Sequence, residues 1–445
     1  MRSFCLSLVL LVCCLYTGFS QRGVELPNYL NRDKIPFELI NNLVIIPVEV
    51  NGKKLSFLLD TGVDATIVFG VTEADSLLVK NIKPVKVIGF GTGEGVDALI
   101  SRNNQIKIGK ARDLNHTIYV IFDESFNFSQ RMGVPIHGII GHDFFRNFIV
   151  KTNYVSKRII ISNPATYNYR KCKKCEEFDL TFYNNKPYVD LEMSVSSKER
   201  ESIKLLIDSG SSDALWLFRE EESINADSTK YFNDFLGLGF SGGIFGKRSK
   251  LDEVWLGGFS LKGVKVAFPD KEAIDGIKFF RERDGSLGGE ILKRFTVIFD
   301  YPNKKMTLKK NGNYNKPFYY NMSGLIIEHG GMIVVRDVEK SVVNTLNSEQ
   351  AGDNNGMITL QIDPNYSFFL APSYIIAEVR ENSPGALAGL RKGDEILRIN
   401  GKDAYRFKLH EIIALYSSET GKVISMDISR NGIKSKAKFT LEKVL

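Results

Sequence analysis

Two short stretches set a carboxylate inside an otherwise apolar run. Asp60-Thr61-Gly62 lies in SFLLDTGVDATIVFG (56–70), and Asp208-Ser209-Gly210 lies in LLIDSGSSDALWLF (205–218). A lone buried carboxyl cannot both activate a nucleophile and donate a proton. Two carboxyls a hydrogen bond apart share one proton, because both cannot ionise readily at that distance. The ionised partner can take a proton from a water molecule between them, while the protonated partner hydrogen-bonds a carbonyl and stabilises the developing oxyanion. Such a pair hydrolyses an amide without a metal, a cofactor or a covalent intermediate, and it titrates as a unit.

The two stretches are copies of one another. Asp208 follows Asp60 by 148 residues, and the same offset relates Gly89 and Gly91 in IGFGTGEG to Gly237 and Gly239 in LGLGFSGG. It also relates QIKIG (105–109) to EVWLG (253–257), and at an offset of 147 GIIGHDFFRNFIVKTNYVSKRIII (138–161) matches GSLGGEILKRFTVIFDYPNKKMTL (285–308). Four collinear matches at nearly one spacing indicate a duplicated unit. Short apolar or alternating runs such as LVIIPVEV, HTIYVIF and KRIIIS, separated by Gly, Asn, Lys and Asp, read as strands. The expected organisation is therefore two homologous β-rich halves, 43–165 and 185–312, joined by a Cys-containing connector at 166–184. An N-terminal extension covers 21–42, and a further domain runs from 316 to 445. Around the paired aspartates, Thr61 and Ser209 offer hydroxyls that can bond across a pseudo-twofold axis. Gly62 and Gly210 allow a tight turn that aims amide N–H groups at the carboxylates, and Ser211 can add a donor on the second side.

DTGVDATIV and DSGSS resemble the active-site loops of the retropepsin- and pepsin-like aspartic peptidases. That resemblance covers about 43–310 and implies a mainly β fold of two pseudo-twofold-related lobes. Each lobe supplies one catalytic residue, Asp60 and Asp208, and Thr61 and Ser209 match the inter-lobe hydroxyls. Asp64 and Thr66 make the first loop the more retropepsin-like of the two. The family packs a hydrophobic-hydrophobic-Gly element under each loop, matched here by Ile139-Ile140-Gly141 and by Ser286-Leu287-Gly288, where Ser286 departs from the apolar pattern. The resemblance also implies a flap over the substrate, placed at 86–99 and centred on Gly89, Phe90, Gly91, Thr92 and Gly93. The Gly237-Gly239-Gly242 spacing spells a dinucleotide fingerprint, but no helix-forming run follows it.

The C-terminal stretch YIIAEVRENSPGALAGLRKGDEILRINGKDAYRF (374–407) resembles the α+β PDZ domain of bacterial secreted proteases. A strand leads to Ser383-Pro384, where Ser383 can cap a short helix. Asn400-Gly401 then makes a hairpin turn, and HEIIALYSS has helical apolar spacing. A PDZ domain binds peptides by strand addition, with a loop that receives a C-terminal carboxylate. Met322, Ser323, Gly324 and Leu325 are the candidate binding residues, and 332–373 is expected to be an insertion.

The remaining features bound the setting. Composition is that of a globular chain, with 43% apolar and 25% charged residues, and a net charge of +7 without a basic block gives no ground for nucleic acid binding. Residues 1–20 have the layout of a cleaved signal peptide, which implies a periplasmic or secreted protein. No later stretch is long and apolar enough to span a bilayer. Of the five cysteines, Cys172 and Cys175 lie beyond that leader; a tight-loop disulfide is the simplest reading, and a redox pair is the alternative. His116, His137, His142, His329 and His410 show no metal-ligand spacing, so packing or surface roles are expected, with no metal and no cofactor. The expected protein is a monomeric aspartic endopeptidase acting on extended polypeptide, with PDZ-assisted substrate or partner binding. The alternatives are a catalytically silent peptide-binding protein of the cell envelope and a processing enzyme restricted to one envelope protein.

Overall fold

The structure, a computed structural model, describes residues 23–70, 77–87, 95–122, 128–194, 200–219, 230–239, 242–274, 280–338, 342–346, 359–363 and 366–445. The chain forms two compact units. One runs up to Asn127 and resumes from Ile136 to Phe318, with Leu445; the other comprises Phe128–Pro135 and Tyr319–Val444.

In the first unit the N-terminal lobe carries β1 (Arg32–Pro36), β2 (Glu38–Ile40), β3 (Leu43–Val50), β4 (Lys53–Leu59), β5 (Thr66–Val68), β6 (Lys83–Val87), β7 (Val96–Ile108) and β8 (Ala111–Ile121). The short helix α1 (Phe128–Met132) follows and belongs to the other unit; then come β9 (Gly138–Ile140), α2 (His142–Phe145), β10 (Ile149–Asn153) and β11 (Arg158–Ser162). The C-terminal lobe repeats the series: β12 (Cys175–Asp179), β13 (Thr181–Tyr183), β14 (Lys186–Ser194), β15 (Glu201–Asp208), β16 (Leu215–Leu217), β17 (Phe232–Gly239), β18 (Gly242–Leu256) and β19 (Phe259–Pro269). It closes with β20 (Gly285–Gly288), α3 (Gly289–Leu292), β21 (Phe295–Asp300) and β22 (Lys305–Lys310).

The duplication is visible in the hydrogen-bond topology. One eight-stranded sheet has the order β2-β3-β4-β9-β5-β8-β7-β6, and the other has β13-β14-β15-β20-β16-β19-β18-β17, which is the same path strand for strand. A third sheet, β1-β11-β10-β21-β22-β12, takes three strands from each lobe and joins them where β10 runs antiparallel to β21, Ile149 opposite Asp300 and Asn153 opposite Thr296. The apolar runs sit inside these layers; Ile46, Val48, Phe57, Leu205, Leu251 and Val297 are all fully or almost fully buried.

Two expectations are corrected here. Residues 21–42 are not a separate extension and 166–184 is not only a connector, because each holds the opening strands of its lobe. β1 and β12 border the joining sheet at opposite ends, and β2 and β13 border the two lobe sheets. Asn41-Asn42 and Asn184-Asn185 turn the chain into β3 and β14 with all four residues at positive φ, 48°, 71°, 47° and 62°. Consecutive left-handed residues make the two-residue hairpin turn, and Asn is the non-glycine residue that tolerates them best. Cys172 and Cys175 form a disulfide at the start of β12.

The second unit has its own sheet and core. β23 (Leu325–Val338) pairs with β26 (Tyr366–Val379), and β27 (Glu395–Ile399), β29 (Val423–Arg430) and β30 (Ile433–Thr440) follow in that order, with β28 (Lys402–Asp403) beside β27. Ser383 accepts a hydrogen bond from Ala386 N and caps α4 (Pro384–Leu387), as its sequence indicates. Asn400-Gly401 and Asn431-Gly432 are hairpin turns at positive φ, and α5 (Leu409–Tyr416) buries Leu409, Ile412 and Tyr416 against Ile327, Ile376 and Ile424. The insertion at 332–373 is largely strand. β23 and β26 extend as a two-stranded ribbon, Val338 opposite Tyr366, and β24 (Val342–Leu346) pairs with β25 (Thr359–Asp363).

Candidate active site

The two aspartate loops occupy equivalent places in the repeat. β4 delivers Asp60 and β15 ends at Asp208; β9 and β20 run parallel to them, with Leu59 opposite Ile140 and Asp208 opposite Gly288. Because β9 lies between β4 and β5, the Asp60 loop must turn over its end, and β20 does the same for Asp208. Asp60 N donates to Ile140 O at 2.9 Å. His142 N donates to Val63 O at 3.0 Å, and its counterpart Gly289 N donates to Ser211 O at 2.7 Å. Glycine is required at the element ends by close approach. A Cβ on Gly141 would lie 1.9 Å from Val63 O, and one on Gly288 would lie 2.3 Å from Asp213 O.

The loops hold each other through four reciprocal bonds. Thr61 Oγ1 donates to Ile207 O (2.6 Å) and accepts from Ser209 N (3.0 Å); Ser209 Oγ donates to Leu59 O (2.8 Å) and accepts from Thr61 N (3.0 Å). Thr61 and Ser209 are both buried, so none of these groups has water as a ready substitute. The Asn41-Asn42 turn adds a second set of ties across the lobes. Asn42 Nδ2 donates to Ser212 O at 2.7 Å and Asn42 Oδ1 accepts from Lys293 Nζ at 2.6 Å.

Gly62 N donates to Asp60 Oδ1 (2.7 Å) and Gly210 N to Asp208 Oδ1 (3.1 Å), so each carboxylate is oriented by its own loop. Neither glycine has positive φ; what excludes a side chain is the opposite aspartate. A Cβ on Gly62 would lie 3.1 Å from Asp60 Oδ1 and from Asp208 Oδ1, and one on Gly210 would lie 2.1 Å from Asp60 Oδ2. The two carboxyls thus share one small space. Burial, then the charge of Asp208, pushes the Asp60 carboxyl well above the ordinary carboxylate range. Burial also raises Asp208, but the Arg283 guanidinium and then Lys186 oppose that shift. Both carboxyls are thus raised, and the pair holds one proton as a unit, with Arg283 and Lys186 favouring ionisation on the Asp208 side.

Arg283 is a charged neighbour of the site that sequence reasoning missed. Its Nε donates to Gly285 O at 3.0 Å, its Nη2 donates to Ser286 Oγ, and its guanidinium lies over the Phe218 ring at 4.7 Å. Burial lowers its pKa to about 10, against the charges of Tyr188 and Asp208. Ser286, the departure from the apolar pattern, is the buried acceptor that helps hold this cation. That one polar residue, three positions after an arginine, was the available signal.

Other expected residues fall elsewhere. Gly89, Phe90, Gly91, Thr92 and Gly93 lie outside the described residues, between β6 and β7; the second copy forms the hairpin β17–β18. Ser211 contributes its backbone, N to Asp208 O at 3.2 Å and O to Gly289 N. His116 is sealed in the first lobe, bonding Thr66 Oγ1 at 2.7 Å and Asp113 Oδ2 at 2.9 Å, and so steadies β5. In the second unit Met322, Ser323 and Leu325 are buried. Their loop amides already have acceptors: Asn321 Oδ1 takes Ser323 N (3.0 Å) and Gly324 N (3.2 Å), and Ser323 Oγ takes Leu325 N (3.1 Å).

A mainly β chain with one lobe topology used twice, and one aspartate at the same place in each copy, defines an aspartic-protease fold, here with a C-terminal PDZ domain. Comparison with known proteins agrees: residues 46–144 match the aspartyl protease family model and residues 375–430 match the PDZ domain model. The first of these spans only the N-terminal lobe, so the second lobe is recognised through the internal repeat. No curated protein matches the chain. Among solved structures, the chain is similar to an aspartic proteinase from Irpex lacteus, at 13% identity and a TM-score of 0.45, over 64% of this chain and 99% of that one.

Proposed function

We propose that the protein is an aspartic-type endopeptidase that cleaves extended polypeptides with water activated between Asp60 and Asp208. The observation that carries this is the reciprocal Thr61–Ser209 grip, which presents two carboxyls to one small space where both are raised above the ordinary carboxylate range. A binding protein has no use for that pair, because burying it costs stability that only the reaction repays. In the proposed mechanism Asp208, kept more acidic by Arg283, takes a proton from the water as its oxygen bonds the scissile carbonyl carbon. Asp60 donates its proton toward the carbonyl oxygen and stabilises the tetrahedral intermediate. Collapse of that intermediate breaks the C–N bond, and a carboxyl of the pair protonates the leaving amine.

The proposal extends to setting and assembly. The chain works outside the cytoplasm after loss of residues 1–20, and it acts as a monomer because both aspartates come from one chain. An unfolded polypeptide substrate, a chelator and a peptide isostere carrying a tetrahedral hydroxyl test the chemistry. Cleavage should persist in chelator and be blocked by the isostere, which imitates the intermediate and so binds more tightly than substrate. Cleavage stopped by chelator and untouched by the isostere would refute the mechanism.

A further inference from the structure

We propose that the peptide groove of the PDZ unit holds a ligand from its own chain, the segment Phe128–Pro135. β23 is the edge of the five-strand path, paired with β26 on one side, and α5 packs against it, so the strand-addition site lies between β23 and α5. The segment engages both walls of that groove. α1 packs on β23, with Arg131 Nε 3.4 Å from Glu328 Oε2. Gly133 closes the helix at φ +68°, its N–H bonded to Ser129 O at 2.9 Å, and it meets Leu409, the first residue of α5, so closely that a Cβ there would lie 2.4 Å from Leu409 Cβ. Met132 between them is buried. The other end of the groove is also occupied from within. A PDZ loop that takes a terminal carboxylate offers free amides, whereas here the Asn321 side-chain oxygen sits on two of them and Ser323 Oγ on the third. The unit is therefore built for an internal segment without a terminal carboxylate. A segment tethered in the same chain competes at millimolar effective concentration, so an external peptide binds only by displacing it.

A fluorescent peptide of sequence NFSQRMGVPI (127–136), blocked at both ends, tests this on the full-length protein. Wild type should bind it weakly. Replacing 128–135 by eight Gly/Ser residues should tighten apparent binding by about tenfold or more, the factor a tethered competitor imposes. Arg131→Glu, which leaves the core untouched, should tighten it several-fold by setting like charges together in the chain's own segment. Adding Glu328→Arg to that variant should restore the internal pair and weaken binding of the same peptide again. Equal affinity for wild type and released variants would overturn the proposal, as would no binding to an Arg131→Glu variant that unfolds at the wild-type temperature.

Discussion

At the scale of residues, the site rests on a few polar side chains whose positions leave little freedom. Thr61→Val removes the donor to Ile207 O and the acceptor for Ser209 N while keeping the shape. Two buried backbone groups then lose their partners, and denaturant unfolding should show a loss of about 3 kcal/mol; Thr61→Ser should recover most of it. Gly210→Ala places a methyl 2.1 Å from Asp60 Oδ2 and should abolish cleavage while the protein still folds. Arg283→Leu removes the cation that favours ionised Asp208, so the acid limb of the pH–rate profile should move to higher pH, with lower kcat and little change in KM. An unchanged acid limb would remove Arg283 from the mechanism. Asp60, Asp208, Thr61 and Ser209 were legible in the sequence because the repeat set each beside its twin. Arg283 was not, because its place beside Asp208 depends on the fold, and the one local trace of it, Ser286 in an apolar position, does not say which charge it serves.

At the scale of elements, the lobe is a device for threading β9 or β20 between the strands that flank an aspartate. Gly138 and Gly285 occupy equivalent positions in those strands, and a Cβ would lie 2.4 Å from Ile67 O or 1.9 Å from Trp216 O. Gly285→Ala should therefore destabilise by about 3 kcal/mol, at the upper end for overpacking, since the obstacle is backbone that cannot rotate away; thermal unfolding measures this. The repeat was legible from Asp60 onward but not before it. The β14–β15 connection is longer than β3–β4, so the offset that is 148 at Asp60 and Asp208 falls to 143 at Asn41-Asn42 and Asn184-Asn185. A search at one spacing passes over β1 and β2, and what reads as an extension and a connector is the opening of each lobe. The PDZ turns and helix cap were legible because Ser-Pro and Asn-Gly act locally. The ribbon of β23 and β26 was not, since pairing at long range leaves no local signature.

At the scale of the whole molecule, holding two carboxyls in one small space sets the response to pH. Both have folded-state pKa values above the ordinary carboxylate value, so between about pH 4 and those raised values the native state binds more protons than the unfolded chain. Stability must then fall as pH rises through that window. Asp60→Asn removes one of the two raised carboxyls, so its melting temperature should gain on wild type from pH 4 to pH 8; a gap that stays constant would show that the pair is not raised as described. The central claim is that hydrolysis needs both carboxyls of one chain. The most direct measurement compares wild type, Asp60→Asn and Asp208→Asn on a denatured protein substrate from pH 3 to pH 8. Wild type should cleave, and each variant, still folded, should lose at least about a thousandfold in kcat/KM, since each removes half of a joint acid–base unit. Cleavage that persists in either variant would contradict the account.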